Sequence, residues 1–353
     1  MKILVINPGS TSTKWAVYDD GNLTWKKTRQ HTVEELEPYT HVIDQLAMRT
    51  QLTRDALRDS GIPLEFDAII GRGGLLKPTP SGVYEVTDTV ARDLREAENE
   101  HACNLGGLIA RELADEAGCQ ALIADPEVVD EMIDEARLSG LPDLPRRSIF
   151  HALNTKAVAR RYAQSIGRPY EDLNLILVHL GGGISVGAHR RGKVIDVNNA
   201  LNGDGPFSPE RAGTLPSDQL TELCFSGRYT KQQIKQMING RGGLSAHLGT
   251  NDVRRIADRA EKGEEPYKSV LDSMLYGVGR EIGARAVALR GEVDAIILTG
   301  GIANSRYCTD RIASWTDWIA PIVVRAGEDE LDSLAFNAQS YLQGDMNLSE
   351  YRG

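Results

Sequence analysis

The chain is short of cysteine, of net positive charge and of long apolar runs, and each shortage excludes something. Its four cysteines, Cys103, Cys119, Cys224 and Cys308, are scattered without a CxxC pair. Neither a zinc site nor a disulfide framework is suggested by that spacing. Lysine and arginine number 40 against 50 aspartates and glutamates, a net charge of −10. That balance disfavours nonspecific binding to nucleic acid or anionic membranes and leaves room for a local basic cleft. No apolar stretch approaches the ~20 residues that span a bilayer. The opening apolar run, Ile3 to Ile6, is too short for the core of a secretory signal. The expectation is a reduced, cytoplasmic protein. Its 353 residues fit two domains.

What is present begins at once. Ile3 to Ile6 reads as a buried strand that empties into Asn7-Pro8-Gly9-Ser10-Thr11-Ser12-Thr13-Lys14. Backbone N–H groups, hydroxyls and one ammonium can converge there on an anion. A plain polar turn is the competing reading. A second strand, Trp15 to Tyr18, leads to Asp19-Asp20-Gly21-Asn22, a hairpin turn. The pattern returns about 170 residues on. Leu173 to Leu180 is a strand, Gly181-Gly182-Gly183 a loop, Ile184 to Ala188 a strand, Arg190-Arg191-Gly192-Lys193 a turn, and Val194 to Val197 a third strand. Two copies argue for duplicated α/β domains, each offering a phosphate-binding hairpin.

Between and beyond them stand single candidates. Helical spacing covers residues 41–60, and a strand at Phe66 to Ile70 ends in Gly71-Arg72-Gly73-Gly74. An arginine among glycines is uncrowded and suits an anion, or else is a surface turn. Helices are expected at Asp88 to Glu98 and Leu105 to Ala117, with His101 between them, and a strand at Gln120 to Ala124. Asp125 follows that strand, where it can hold Mg²⁺ or cap the next turn. Residues 126–147 read as a connection, giving domains at 1–147 (joined by the C-terminal helix 328–353) and 148–327. His151 opens a helix, in a catalytic or a structural role. Arg211 is one arginine in a small-residue loop, 204–214. Helices are expected near 215–225, 230–238 and 252–290, the last broken near Gly263 and Pro266, with a loop at Gly240 to Gly249. A strand at Asp294 to Leu298 runs into Thr299-Gly300-Gly301-Ile302, which is a ligand loop or a simple strand-to-helix turn. A last strand, Ile322 to Val324, precedes a terminal helix, Glu328 to Leu342.

Taken together these landmarks resemble the acetate and butyrate kinases. The resemblance rests on the first loop and then, in order, Gly-Arg-Gly-Gly, Ala-Asp-Pro, Ser-Ile-Phe-His, His-Leu-Gly-Gly-Gly, Pro-Glu-Arg-Ala-Gly-Thr and Leu-Thr-Gly-Gly. It implies two duplicated ribonuclease-H-like α/β domains of the actin and sugar-kinase type, with the active site in the cleft between them. It implies ATP/ADP and Mg²⁺ as cofactors, a short-chain carboxylate and its acyl phosphate as substrates, and a homodimer or higher homo-oligomer. Butyrate or a branched homologue is the expected acid, with acetate or propionate as alternatives. A non-catalytic, ATP-switched module of the actin or chaperone kind is a further alternative, against which Arg72 and Arg211 stand.

Position by position, the resemblance places Asn7, Ser10, Ser12 and Lys14 near the transferred phosphate and its metal. Arg72 and Arg211 clamp the acyl phosphate, and Asp125, with Asn7, places Mg²⁺. His151 lies near the transferring group, Phe150 walls the acyl pocket and His101 lies near the acyl group. His179, Gly181, Gly182 and Gly183 form the second phosphate loop. Asp252, Arg254, Gly300, Gly301 and Ile302 lie on the adenosine side. Two departures stand out: Gly182 replaces an asparagine of the acetate kinases, and Ala303 replaces a glutamate. The implied chemistry needs no general base, because a carboxylate is already ionised at neutral pH. It needs positive charge and positioning. Direct in-line transfer is expected, with covalent phosphorylation of a histidine as the rival.

Overall fold

A computed structural model of the chain describes every residue except Glu98, Asn99 and Glu328. The expected helix end at Glu98 and helix start at Glu328 lie outside the described residues. The chain forms two units. One comprises Met1–Val129, Ala152–Ala157 and Asp329–Gly353, and the other Asp130–His151 and Val158–Glu328.

The first unit carries strands β1 (Lys2–Pro8), β2 (Ser12–Asp19), β3 (Asn22–Gln30), β4 (Ala68–Arg72), β5 (Val83–Glu85) and β6 (Gln120–Ala124). They form one sheet in the order β3-β2-β1-β4-β6-β5. The second unit carries β7 (Asn174–Leu180), β8 (Ile184–Arg190), β9 (Lys193–Val197), β10 (Ala295–Gly300) and β11 (Ile322–Ala326), in the order β11-β10-β7-β8-β9. Each sheet is an antiparallel three-strand meander whose first strand is extended by two parallel neighbours. The duplicated α/β architecture expected from the two echoing hairpins is therefore present, and β5 is an extra edge strand in the first copy. Both tight hairpins use the same device. Asp20 and Gly21 have φ of 45° and 79°, and Arg191 and Gly192 have 50° and 82°. That left-handed pair matches the twist of the flanking strands.

Six helices matter below: α1 (Leu46–Asp59), α2 (Asn104–Ala117), α3 (Ala152–Ser165), α4 (Val253–Glu261), α5 (Tyr267–Ala288) and α6 (Glu330–Leu342). The near-continuous apolar strands have two buried faces, which is why they do not alternate with polar residues. In β1, Ile3 and Val5 join Leu331, Leu334 and Ala338 of α6 on one side. Leu4 and Ile6 join Leu57 of α1 and Leu105, Leu108 and Ile109 of α2 on the other. In β7, Leu175 and Leu177 meet Ala159 and Ala163 of α3, while Ile176 and Val178 meet Leu271, Met274 and Leu275 of α5.

One expected loop is a helix. Gly243–Leu248 is helical, between Gly243 (φ 61°) and Gly249 (φ 69°). The intervening Leu-Ser-Ala-His-Leu is too short to show a 3.6-residue period, so only the flanking glycines stand out in the sequence. No described helix is long and apolar enough to cross a membrane.

Candidate active site

The candidate residues of the first unit gather because three parallel strands end together. In the β1–β4 register Ile6 faces Gly71, and in the β4–β6 register Arg72 faces Ala124. Asn7, Arg72 and Asp125 therefore leave the sheet side by side at its carboxyl edge, where ligands of open α/β sheets bind. The β1–β2 hairpin adds the rest of the first loop to that edge, with Lys14 paired to Asn7 in register. Asn7 and Thr13 are buried, while Ser10, Thr11 and Lys14 are exposed.

Arg72 is the hub. Its Nη2 donates to Glu127 Oε1 at 2.5 Å and its Nη1 donates to Glu330 Oε1. The other oxygen of Glu330 accepts from Asn7 Nδ2 at 2.6 Å. Burial opposes the charge of Arg72, but the Glu127 and Glu330 carboxylates outweigh it and hold the guanidinium well above its ordinary value. It is cationic at every working pH.

His101 lies at the same edge. Its Nδ1 faces Cys103 Sγ at 2.8 Å and accepts the backbone N–H of Cys103 at 3.3 Å. A ring nitrogen that accepts an N–H carries no proton, so the proton sits on Nε2 and makes that atom a donor. Burial, with Glu127 nearby, pushes the Cys103 thiol far up, and it stays protonated. The ligand atoms of His101, Cys103 and Glu127 lie within 4.8 Å of one another. The scattered cysteines gave no hint of that grouping. Glu127 Oε1 also accepts from Arg72 Nη2.

Asp125 is buried and has a φ of 39°, uncommon for a residue with a Cβ. Its Oδ1 accepts from Ser81 Oγ at 2.6 Å and from the Gly82 N–H at 3.0 Å. The carboxylate is held at the strand end by the loop leading into β5.

In the second unit the ends of β7, β10 and β11 coincide, with Thr299 facing both His179 and Arg325. The loop Gly181–Gly183 thus neighbours the loop after Gly300. Gly300 has a φ of 88°, and a Cβ there would meet Leu180 O at 2.4 Å. Gly301 and Ile302 open a 3₁₀ turn beyond it, with Gly301 exposed and Ile302 buried. His179 stacks on His151, with ring centroids 3.8 Å apart and 12° between planes. His151 Nδ1 lies 3.1 Å from Ser185 Oγ, and Phe150 beside it is buried. Arg211 reaches the second loop directly. Its Nη1 donates to Ala200 O at 2.5 Å, and a Cβ on Gly183 would sit 1.6 Å from that nitrogen. Ser208 Oγ donates to Gly182 O at 2.6 Å. Asp252 is the N-cap of α4, accepting from the Arg255 N–H at 3.1 Å, and Arg254 is exposed beside it.

Arg72 thus stands with Asn7, Asp125 and His101, and Arg211 stands with Gly181–Gly183, His151 and His179. Three residues escaped the sequence: Glu127, Glu330 and Arg49. Glu127 lies two positions after Asp125, in an acidic stretch where nothing distinguishes it from its neighbours. Glu330 lies 258 positions from Arg72, in the first turn of α6. Nothing local marks it.

The chain is similar to known proteins in sequence and in fold. Residues 143–316 match the model of the acetokinase family. A probable butyrate kinase of Phocaeicola vulgatus is 61% identical over 352 residues, covering 100% of this chain and 99% of its own. Butyrate kinase 1 of Clostridium acetobutylicum is 47% identical over 353 residues, covering 99% of each. Among solved structures, Porphyromonas gingivalis acetate kinase superposes with a TM-score of 0.79 at 20% identity, covering 97% of this chain and 99% of its own. A propionate kinase from Francisella tularensis gives 0.74 at 18% identity, covering 95% and 98%. These structures establish the fold, and the curated relatives establish the lineage. The chain belongs to the acetokinase family.

Proposed function

We propose that this protein is a butyrate kinase. It moves the terminal phosphoryl group of ATP reversibly to a short-chain carboxylate, butyrate or a branched homologue, and yields the acyl phosphate and ADP. The observation that carries the reading is the Arg72 assembly: a permanently cationic guanidinium at the carboxyl edge of the sheet, flanked by Asn7 and a phosphate-type loop. The whole-chain relatives named butyrate kinase support it.

The reaction must bring two anions together, and its transition state spreads negative charge over the transferring oxygens. Arg72 orients the acyl phosphate, and Arg211 adds a second cation. His101, with its proton on Nε2, donates to the acyl oxygen. His151 donates a hydrogen bond to the transferring group rather than carrying it covalently. Gly181–Gly183, Gly300, Gly301, Ile302, Asp252 and Arg254 serve the nucleotide. The donor set of Asn7, Asp125 and Glu330 is oxygen throughout, which fits Mg²⁺. When bound there, Mg²⁺ would neutralise phosphate charge. The enzyme works as a homodimer in the cytoplasm.

Hydroxylamine trapping of acyl phosphate across C2 to C6 acids tests the reading. The expected profile peaks at C4 or a branched neighbour. One methylene is worth only ~1–3 kcal/mol, so the profile is broad. A peak at acetate makes the protein an acetate kinase, and no product from any acid removes the enzyme reading.

A further inference from the structure

Arg49 is completely buried in α1, yet among the described residues no carboxylate pairs with it. Buried arginines are ordinarily paired, because an isolated charge loses its hydration. This one is satisfied almost entirely by the first loop. Nη1 donates to Gly9 O at 2.9 Å, to Ser12 O at 3.1 Å and to Thr13 Oγ1 at 3.1 Å. Nη2 donates to Ser10 O at 3.4 Å, and Nε donates to Gln45 Oε1 at 3.0 Å. Thr13 Oγ1 is also 2.8 Å from His31 Nε2, and the His31 N–H donates to Thr11 O. Burial pulls the pKa of Arg49 down to about 10, so it remains charged at neutral pH.

The direction of those bonds has a consequence. In a trans peptide the C=O and the following N–H point opposite ways. Drawing the carbonyls of Gly9 and Ser10 inward turns the N–H groups of Ser10 and Thr11 outward. Both residues are exposed, and among the described residues neither N–H has a protein partner. Two adjacent outward N–H groups over a buried cation form a cradle for an anion.

We propose that Arg49 is a positioning residue for phosphoryl transfer. It fixes the Gly9–Thr13 backbone so that the Ser10 and Thr11 N–H groups face the phosphate, and its uncompensated charge lies beneath them. The inference rests on the phosphate-loop reading of the proposed function. Arg49 itself touches no substrate.

The test uses inorganic phosphate and ADP as separate probes on the full chain. In folded Arg49→Ala the phosphate Kd should rise at least about 10-fold, the loss expected for charge-assisted hydrogen bonding, while the ADP Kd stays within about threefold. Added guanidinium ion should recover part of the phosphate affinity, and equal sodium chloride should not. General loosening would weaken both ligands and show no rescue. A folded variant with wild-type phosphate affinity overturns the proposal, as does equal loss for both ligands. If Arg49→Ala does not fold, Arg49→Lys decides by the same two affinities, because an ammonium cannot reach the same set of acceptors. If that also fails to fold, Gln45→Leu decides, since it removes the acceptor that aims Nε. The outcomes separate from those of the parent reading. A wild-type protein that makes no acyl phosphate but loses phosphate affinity with Arg49 defeats only the butyrate kinase assignment. An active wild type indifferent to Arg49 defeats only this one.

Discussion

Replacing Gly183 with alanine should disable Arg211 without altering it. A Cβ at position 183 would lie 1.6 Å from Arg211 Nη1, 2.5 Å from its Cζ and 3.1 Å from Ala200 O. The first two are well inside the 3.0 Å below which Cβ contacts essentially never occur. Something must move. The cheapest movement is the guanidinium, the far end of a flexible side chain, which leaves its bond to Ala200 O. The backbone of Gly183 is not left-handed, so the alanine adds no strain of its own. Stability should therefore fall by no more than ~1 kcal/mol, the ordinary cost of a point change. Activity should fall far more. One charged donor aimed at developing negative charge is worth roughly 3–4 kcal/mol, or 10²–10³ in rate. We expect Gly183→Ala to lower kcat/KM for butyrate by about 10² in the hydroxamate assay, and Arg211→Ala to lower it by a similar factor. The double variant should lose little beyond Arg211→Ala alone, because both changes remove one interaction. Gly183→Ala with activity within about threefold of wild type would falsify the coupling, and so would a double variant whose losses multiply.

Three further outcomes follow from other contacts. Glu330→Gln removes the carboxylate shared by Arg72 and Asn7; it should cut kcat by at least about 10² and raise the Mg²⁺ concentration for half-maximal rate, and an unchanged Mg²⁺ titration would rule out its metal role. Burial, with Arg49 beside it, lowers the His31 pKa from 6.5, so below about pH 6.5 the unfolded chain binds a proton that the native state does not. Thermal stability should therefore fall as pH drops below that value, less steeply in His31→Gln; parallel melting curves for the two proteins against pH would contradict this. Gly300→Ala places a methyl 2.4 Å from Leu180 O at a φ of 88°, against backbone that cannot yield. It should destabilise by ~2–4 kcal/mol in denaturant unfolding, and a wild-type midpoint would contradict the contact.

The sequence by itself determined the repeated strand–loop–strand units, because Ile3 to Ile6 and Leu173 to Leu180 are largely apolar runs that empty into glycine-containing loops, and each hairpin turn carries a glycine, Gly21 or Gly192, that adopts left-handed φ. It also marked Arg72 and Arg211, because one arginine among small residues is visible in one dimension, and Asp125, because it follows a buried strand. Tertiary structure alone decided which of these share an edge, because strand order brings β1, β4 and β6 together across more than a hundred residues. It decided that Glu330, in the last helix, pairs with Arg72 near residue 70. It decided that Arg49, one of three arginines on its helix, lies beneath the first loop. It also decided that Gly183 is glycine because a guanidinium passes through the space its side chain would fill. Contacts of that kind depend on distances between remote segments, and periodicity along the chain carries no record of them.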